Sequence, residues 1–143
     1  MLGTFKAAVA AADGPGMSSM GHQAYQARAI ETASPEQLTL MCYDGAIRFM
    51  RRARLAHESG DRGKVSESVG RAQAVINELN VTLNMEAGGE ISQNLRDIYL
   101  FINRHLATAV MEQRVEAIDE AIGLLQPIRD AWSESMNLEQ QAA

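Results

Sequence analysis

Four side chains in this sequence are the usual carriers of nucleophilic or metal chemistry: His22, His57, His105 and Cys42. A metal centre needs several such ligands at short, repeated spacings, and a nucleophile needs a base held beside it. Neither arrangement is present. The histidines show no ligand spacing to one another or to Cys42, and no Glu is followed by His at the third position, the pattern of carboxylate di-metal bundles. There is no Cys-x-x-Cys-His, no Gly-x-Ser-x-Gly elbow and no phosphate loop. Gly88-Gly89 would bare backbone N–H groups to an anion, but Glu90 stands where the anion would sit, so the pair reads as a turn. Arg48, Arg51, Arg52 and Arg54 put four positive charges within seven residues. On a helix the first three share one sector, which suits a solvated outer face near the C-terminal half, with a partner-docking patch as the alternative. No catalytic set, cofactor or metal is expected. What remains is association.

The elements that position these residues follow from composition and punctuation. Apolar residues make up 46% of the 143 and aromatics only 5%, a mix that favours packed helices over sheets. One domain with a single core fits this length. Ser34-Pro35-Glu36-Gln37 is a capping box with proline at the first helical position, and predicts a helix from Pro35 to about Ser59. Gly60 stops it and Asp61 caps a second helix, expected to run to about Met85 before Gly88-Gly89 breaks it. A third is expected from Glu90 to Met111, and a fourth from near Arg114 to Trp132. Pro127 should kink the last one, at a cost of about 3 kcal/mol unless relieved locally. Helices of about 20 residues on short connections predict an all-α, antiparallel up-down four-helix bundle. Residues 1–24 read as a flexible N-terminal arm with a short helix, 25–134 as the bundle and 135–143 as a frayed tail.

Charge narrows the partners. The net charge is −5 with both signs interspersed, so no nucleic acid is expected. No apolar run approaches a membrane span, so no stable insertion is expected either. The N-terminal stretch has a short Ala-rich centre in place of the strongly apolar one of a cleaved signal. Together with the lone Cys42, this points to a reducing cytoplasm.

The first helix holds more apolar surface than a plain bundle needs. Beside the core stripe of Leu38, Phe49 and Ala53 runs a second one, Leu40, Tyr43, Ile47 and Met50, spaced three, four and three residues apart. Together they span an arc of roughly 200°, whereas about 100° suffices to face one core. Either the helix is central and buried on two sides, or the second stripe is a groove for an amphipathic partner. Methionines, adaptable in shape, suit the second reading. A third possibility pairs the stripe with its own copy in a weak homodimer.

Three segments resemble one known family. They are Tyr25 with TASPEQLTLMCYDGAIRFM over Thr32 to Met50, VINELNVTLNMEAGGEISQNLRDIYLFINRHL over Val75 to Leu106, and AIDEAIGLLQPIRDAW over Ala117 to Trp132. In order and spacing they resemble the flagellar secretion chaperones, commonly called FliS. The resemblance implies an antiparallel four-helix bundle that binds the disordered C-terminal segment of flagellin, keeps it from joining a filament in the cytoplasm and brings it to an export-gate protein at the membrane. Carried onto this chain, it implies a flagellin groove of Leu40, Tyr43, Ile47 and Met50 with Leu83, Ile91, Leu95 and Tyr99, and gate docking by Tyr25. In the family the N-terminal segment is also associated with covering the groove when cargo is absent. Cys42 departs from the usual Leu, and His22 stands where some relatives carry an apolar residue.

Overall fold

The structure, a computed structural model, describes residues 20–142, with only the backbone at 20–23 and 26. Of the expected arm, residues 1–19 lie outside the described residues. From Met20 the chain is helical: α1 is Met20–Thr32, α2 Pro35–Glu58, α3 Arg62–Val81, α4 Met85–Met111 and α5 Val115–Ala142. No strand occurs among the described residues.

The start of α2 forms as its sequence dictates. The Gln37 amide donates to Ser34 Oγ at 3.1 Å, and the Ser34 amide donates to Gln37 Oε1 at 2.9 Å. The helix stops at Gly60, whose φ of +75° is open to glycine at no steric cost. Asp61 then caps α3, accepting from the Lys64 amide at 3.0 Å.

The next boundary differs from expectation. The second helix ends at Val81 rather than near Met85, and α4 begins ahead of the glycines because Asn84 caps it, accepting from the Ala87 amide at 3.0 Å. Gly88-Gly89 is therefore not the connection but a kink inside α4, with Gly89 at φ 52°, ψ −124°. Ser92 Oγ closes the kink by donating to the Asn84 carbonyl at 2.9 Å.

The last helix also runs further than expected, past Trp132 to Ala142, in place of a frayed tail. It continues through Pro127 as one helix. The carbonyl that Pro127 leaves without a donor belongs to Gly123, four residues back; both residues are exposed, so water can serve it.

α2 packs against α3 and α5, α3 against α4, and α4 against α5, which closes a four-helix ring. Cross-contacts fix the direction of one pair. Arg54 meets Asp119, Arg51 meets Gln126, Asp44 meets Arg129, and the Glu36 carbonyl accepts from Trp132 Nε1. As α2 is read backwards α5 is read forwards, so these two are antiparallel. The three-residue connections 59–61, 82–84 and 112–114 leave the other successive pairs little alternative. Inside the ring lies one continuous core of residues from α2 to α5, which Ile30 of α1 also joins.

Candidate functional site

The second stripe of α2 does not form the open groove that the wheel allowed. Leu40 alone is half-buried; Tyr43, Ile47 and Met50 are sealed in the core, and so is Tyr99 from α4. The reason is position. α2 touches α3 on one side and α5 on the other, and Tyr99 meets it from across the ring, so the wide apolar arc is consumed by three neighbours. The exposure expected of these four residues is corrected accordingly.

At the centre of this layer Tyr43 and Tyr99 share a buried hydroxyl–hydroxyl hydrogen bond of 2.6 Å. Trp132 packs edge-on to Tyr43 with centroids 6.4 Å apart, its indole N–H satisfied by the Glu36 carbonyl at 3.0 Å. Burial pushes both phenols above their ordinary range. Burial, reinforced by the negative charge of Glu78, pushes the Cys42 thiol up to about 12. A thiol so disposed stays neutral at physiological pH and is a packing group, not a nucleophile.

Leu55, Phe101 and Met111 are exposed elsewhere on the bundle, and a further accessible apolar surface lies at the end where α2 begins. There α1, the first turns of α2 and the extension of α5 enclose an open groove of about 710 Å³, lined by Tyr25, Arg28 and Thr32 of α1, Leu40 and Met41 of α2, and Met136 of α5. Two expected residues, Tyr25 and Leu40, thus come together in it. Tyr25 is 71% exposed on α1. Around the turn from α3 to α4, which reaches the same end, Leu83 and Leu95 are half-buried against the core while Ile91 is 72% exposed. Val81 and Met85 add exposed apolar surface beside them.

Met136 was missed because the last helix was expected to end at Trp132. Its signal was nevertheless present, since Leu125, Ile128, Trp132 and Met136 continue one stripe at spacings of three, four and four. α1 was missed as a wall of the groove because the apolar side chains among its thirteen residues form no clear stripe on one face.

Among the described residues no three His, Cys, Asp or Glu side chains converge as a metal site. No helix among them is long and apolar enough to cross a membrane.

The family model for the flagellar protein FliS matches residues 17–139, which takes in α1 to α4 and α5 as far as Glu139. The chain belongs to this family. It is 34% identical to the flagellar secretion chaperone FliS of Bacillus subtilis over 120 residues, 84% of this chain and 89% of that one. To the protein of the same name from Salmonella typhimurium it is 40% identical over 107 residues, covering 74% of this chain and 79% of the relative. The Escherichia coli counterpart is 33% identical over 124 residues, 83% and 91% of the two chains. All three of these FliS relatives carry the name flagellar secretion chaperone.

Proposed function

We propose that this chain binds the disordered C-terminal segment of flagellin in the cytoplasm, prevents its premature polymerisation and assists its delivery to the flagellar type III export apparatus. The observation that carries this reading is the apolar surface left open at the α2 start, the groove beneath Tyr25 together with Ile91, in a chain whose relatives are secretion chaperones. A disordered client offsets the cost of ordering by burying its apolar residues on such surface. Leu40, Leu83, Ile91 and Leu95 are the contacts of this reading, and Tyr43, Ile47, Met50 and Tyr99 the packed layer that holds them in place. Tyr25, exposed on α1, is the residue for docking to the export-gate protein.

Titration of a synthetic flagellin C-terminal peptide into the protein by calorimetry tests this. Binding with a negative heat-capacity change is expected. Leu40→Asp and Ile91→Asp should each weaken it by about tenfold or more, roughly the loss of one buried aliphatic contact, with the helical CD spectrum unchanged. Tyr25→Ala should lose the gate protein and, because Tyr25 also lines the groove, weaken the peptide by less than Leu40→Asp does. No binding by the unaltered protein refutes the reading.

A further inference from the structure

On the outward face of α2, away from the open end, Arg51 and Arg52 lie one turn before Leu55, which is 64% exposed. The acids near Arg51 and Arg52 are held by other arginines. Arg129 holds Asp44 at 2.7 Å, and Arg54 holds Asp119 at 2.7 Å and Glu58 at 3.5 Å. Arg51 reaches the neutral amide oxygen of Gln126 at 3.4 Å. Arg52 lies over the Phe49 ring, 5.4 Å from its centroid, and Arg71 of α3 lies 5.8 Å from the same centroid. Arg71 also pairs with Glu67 at 3.1 Å. Two guanidiniums therefore converge on one aromatic ring. The ring attracts them and fixes their positions but does not cancel their charge. Guanidiniums held this way bind carboxylates with little further ordering.

We propose that this strip docks an acidic amphipathic helix of a partner protein. Its carboxylates sit on Arg51 and Arg52, and an apolar side chain three or four positions along sits on Leu55, matching the spacing from Arg52 and Arg51 to Leu55. A nucleic-acid strand fits worse. Leu55, an exposed apolar side chain beside the arginines, offers it nothing. The surface is separate from the open end assigned to flagellin, so the two readings stand or fall independently.

The probe is a capped helical peptide of Glu, Ala and Leu, about 18 residues or five turns long, with Glu pairs three and four positions before each Leu. Its control carries Gln for Glu. Fluorescence anisotropy with the full chain should show binding of the Glu peptide that weakens with salt, and the Gln peptide about tenfold weaker. The R51Q/R52Q variant should lose about tenfold for the Glu peptide while flagellin-tail binding stays within about twofold. Arg52 packs on Phe49, so Arg51→Gln, which gives up only the Gln126 contact, is the second variant; a loss of about threefold is expected for it. Equal binding of the Glu and Gln peptides overturns the proposal. So does tighter binding of an oligothymidylate, which assigns the arginines to phosphate. A dimer in sedimentation that the double variant disperses assigns the face to a second copy and also overturns it. Loss of the flagellin tail in the double variant assigns the strip to the cargo, with the same consequence.

Discussion

The buried tyrosine pair gives the sharpest test of where the core ends and the surface begins. Each tyrosine is 2% exposed, and the two buried hydroxyls partner each other at 2.6 Å. Tyr99→Phe leaves the Tyr43 hydroxyl in the core with no partner, and Tyr43→Phe does the converse. An unsatisfied buried hydroxyl costs about 1–3 kcal/mol, whereas removing both partners of a hydrogen bond is close to neutral. Each single variant should therefore lose about 2 kcal/mol, and the double variant Y43F/Y99F well under the sum of the two, a coupling of about 1–2 kcal/mol. For a chain of this size 2 kcal/mol is a fall in Tm of roughly 4–8 °C. Urea unfolding at neutral pH, monitored by far-UV CD, measures all four corners of the cycle. Flagellin-tail affinity should be the same at every corner, because neither ring reaches the surface. Additive losses would refute the buried pairing. A variant that kept its stability but lost the tail would return these tyrosines to the binding surface.

Three further outcomes follow from the same packing. Ile47→Asp puts a charge into the core and should unfold the protein, costing several kcal/mol, while Ile91→Asp at the exposed position leaves the melting curve nearly unchanged; thermal CD compares them. Gly88→Ala would set its Cβ 1.7 Å from Ser92 Oγ and 2.8 Å from Ser92 Cβ, and should cost about 1–3 kcal/mol in urea unfolding by breaking the Ser92–Asn84 closure of the kink, with Gly89→Ala similar because of its positive φ. The Cys42 thiol ionises near 9.0 in the unfolded chain and at about 12 in the fold, so the stability it contributes is complete below pH 9 and lost as pH rises from 9 to 12. The loss is on the order of 1.4 kcal/mol per pH unit. Stability measured between pH 9 and 10, below the range of the tyrosines, should fall less steeply in Cys42→Ala than in the parent.

What could be read in advance divides by the range of the interaction. The all-α class, the Ser34 capping box, the Gly60 stop and the Asp61 cap are local hydrogen-bonding facts, and each stands in the structure where its residues put it. The α3–α4 boundary went astray because two signals competed. The glycine pair drew the break to residues 88 and 89, while Asn84, a good N-cap in its own right, started the helix earlier and left the glycines to bend it. The tail was lost to a similar choice, with Trp132 taken as the last anchor although Met136 continued its stripe.

The groove residues required information that periodicity does not contain. The width of a helix's apolar arc counts how many neighbours it has, and says nothing of whether those neighbours belong to the same chain. In a closed ring of four, each helix touches two others along its flanks and meets the fourth across the core. An arc near 200° is then the ordinary requirement of α2, filled by α3, α5 and Tyr99. Surface left over must be sought where the ring stops covering itself, at its ends and on its outer faces. At the end where α2 starts, α5 runs on past the ring and α1 lines one wall of the groove, so apolar residues there are left partly uncovered. That is why Leu40 and Ile91, and not Ile47 or Met50, are the substitutions on which the binding experiment turns.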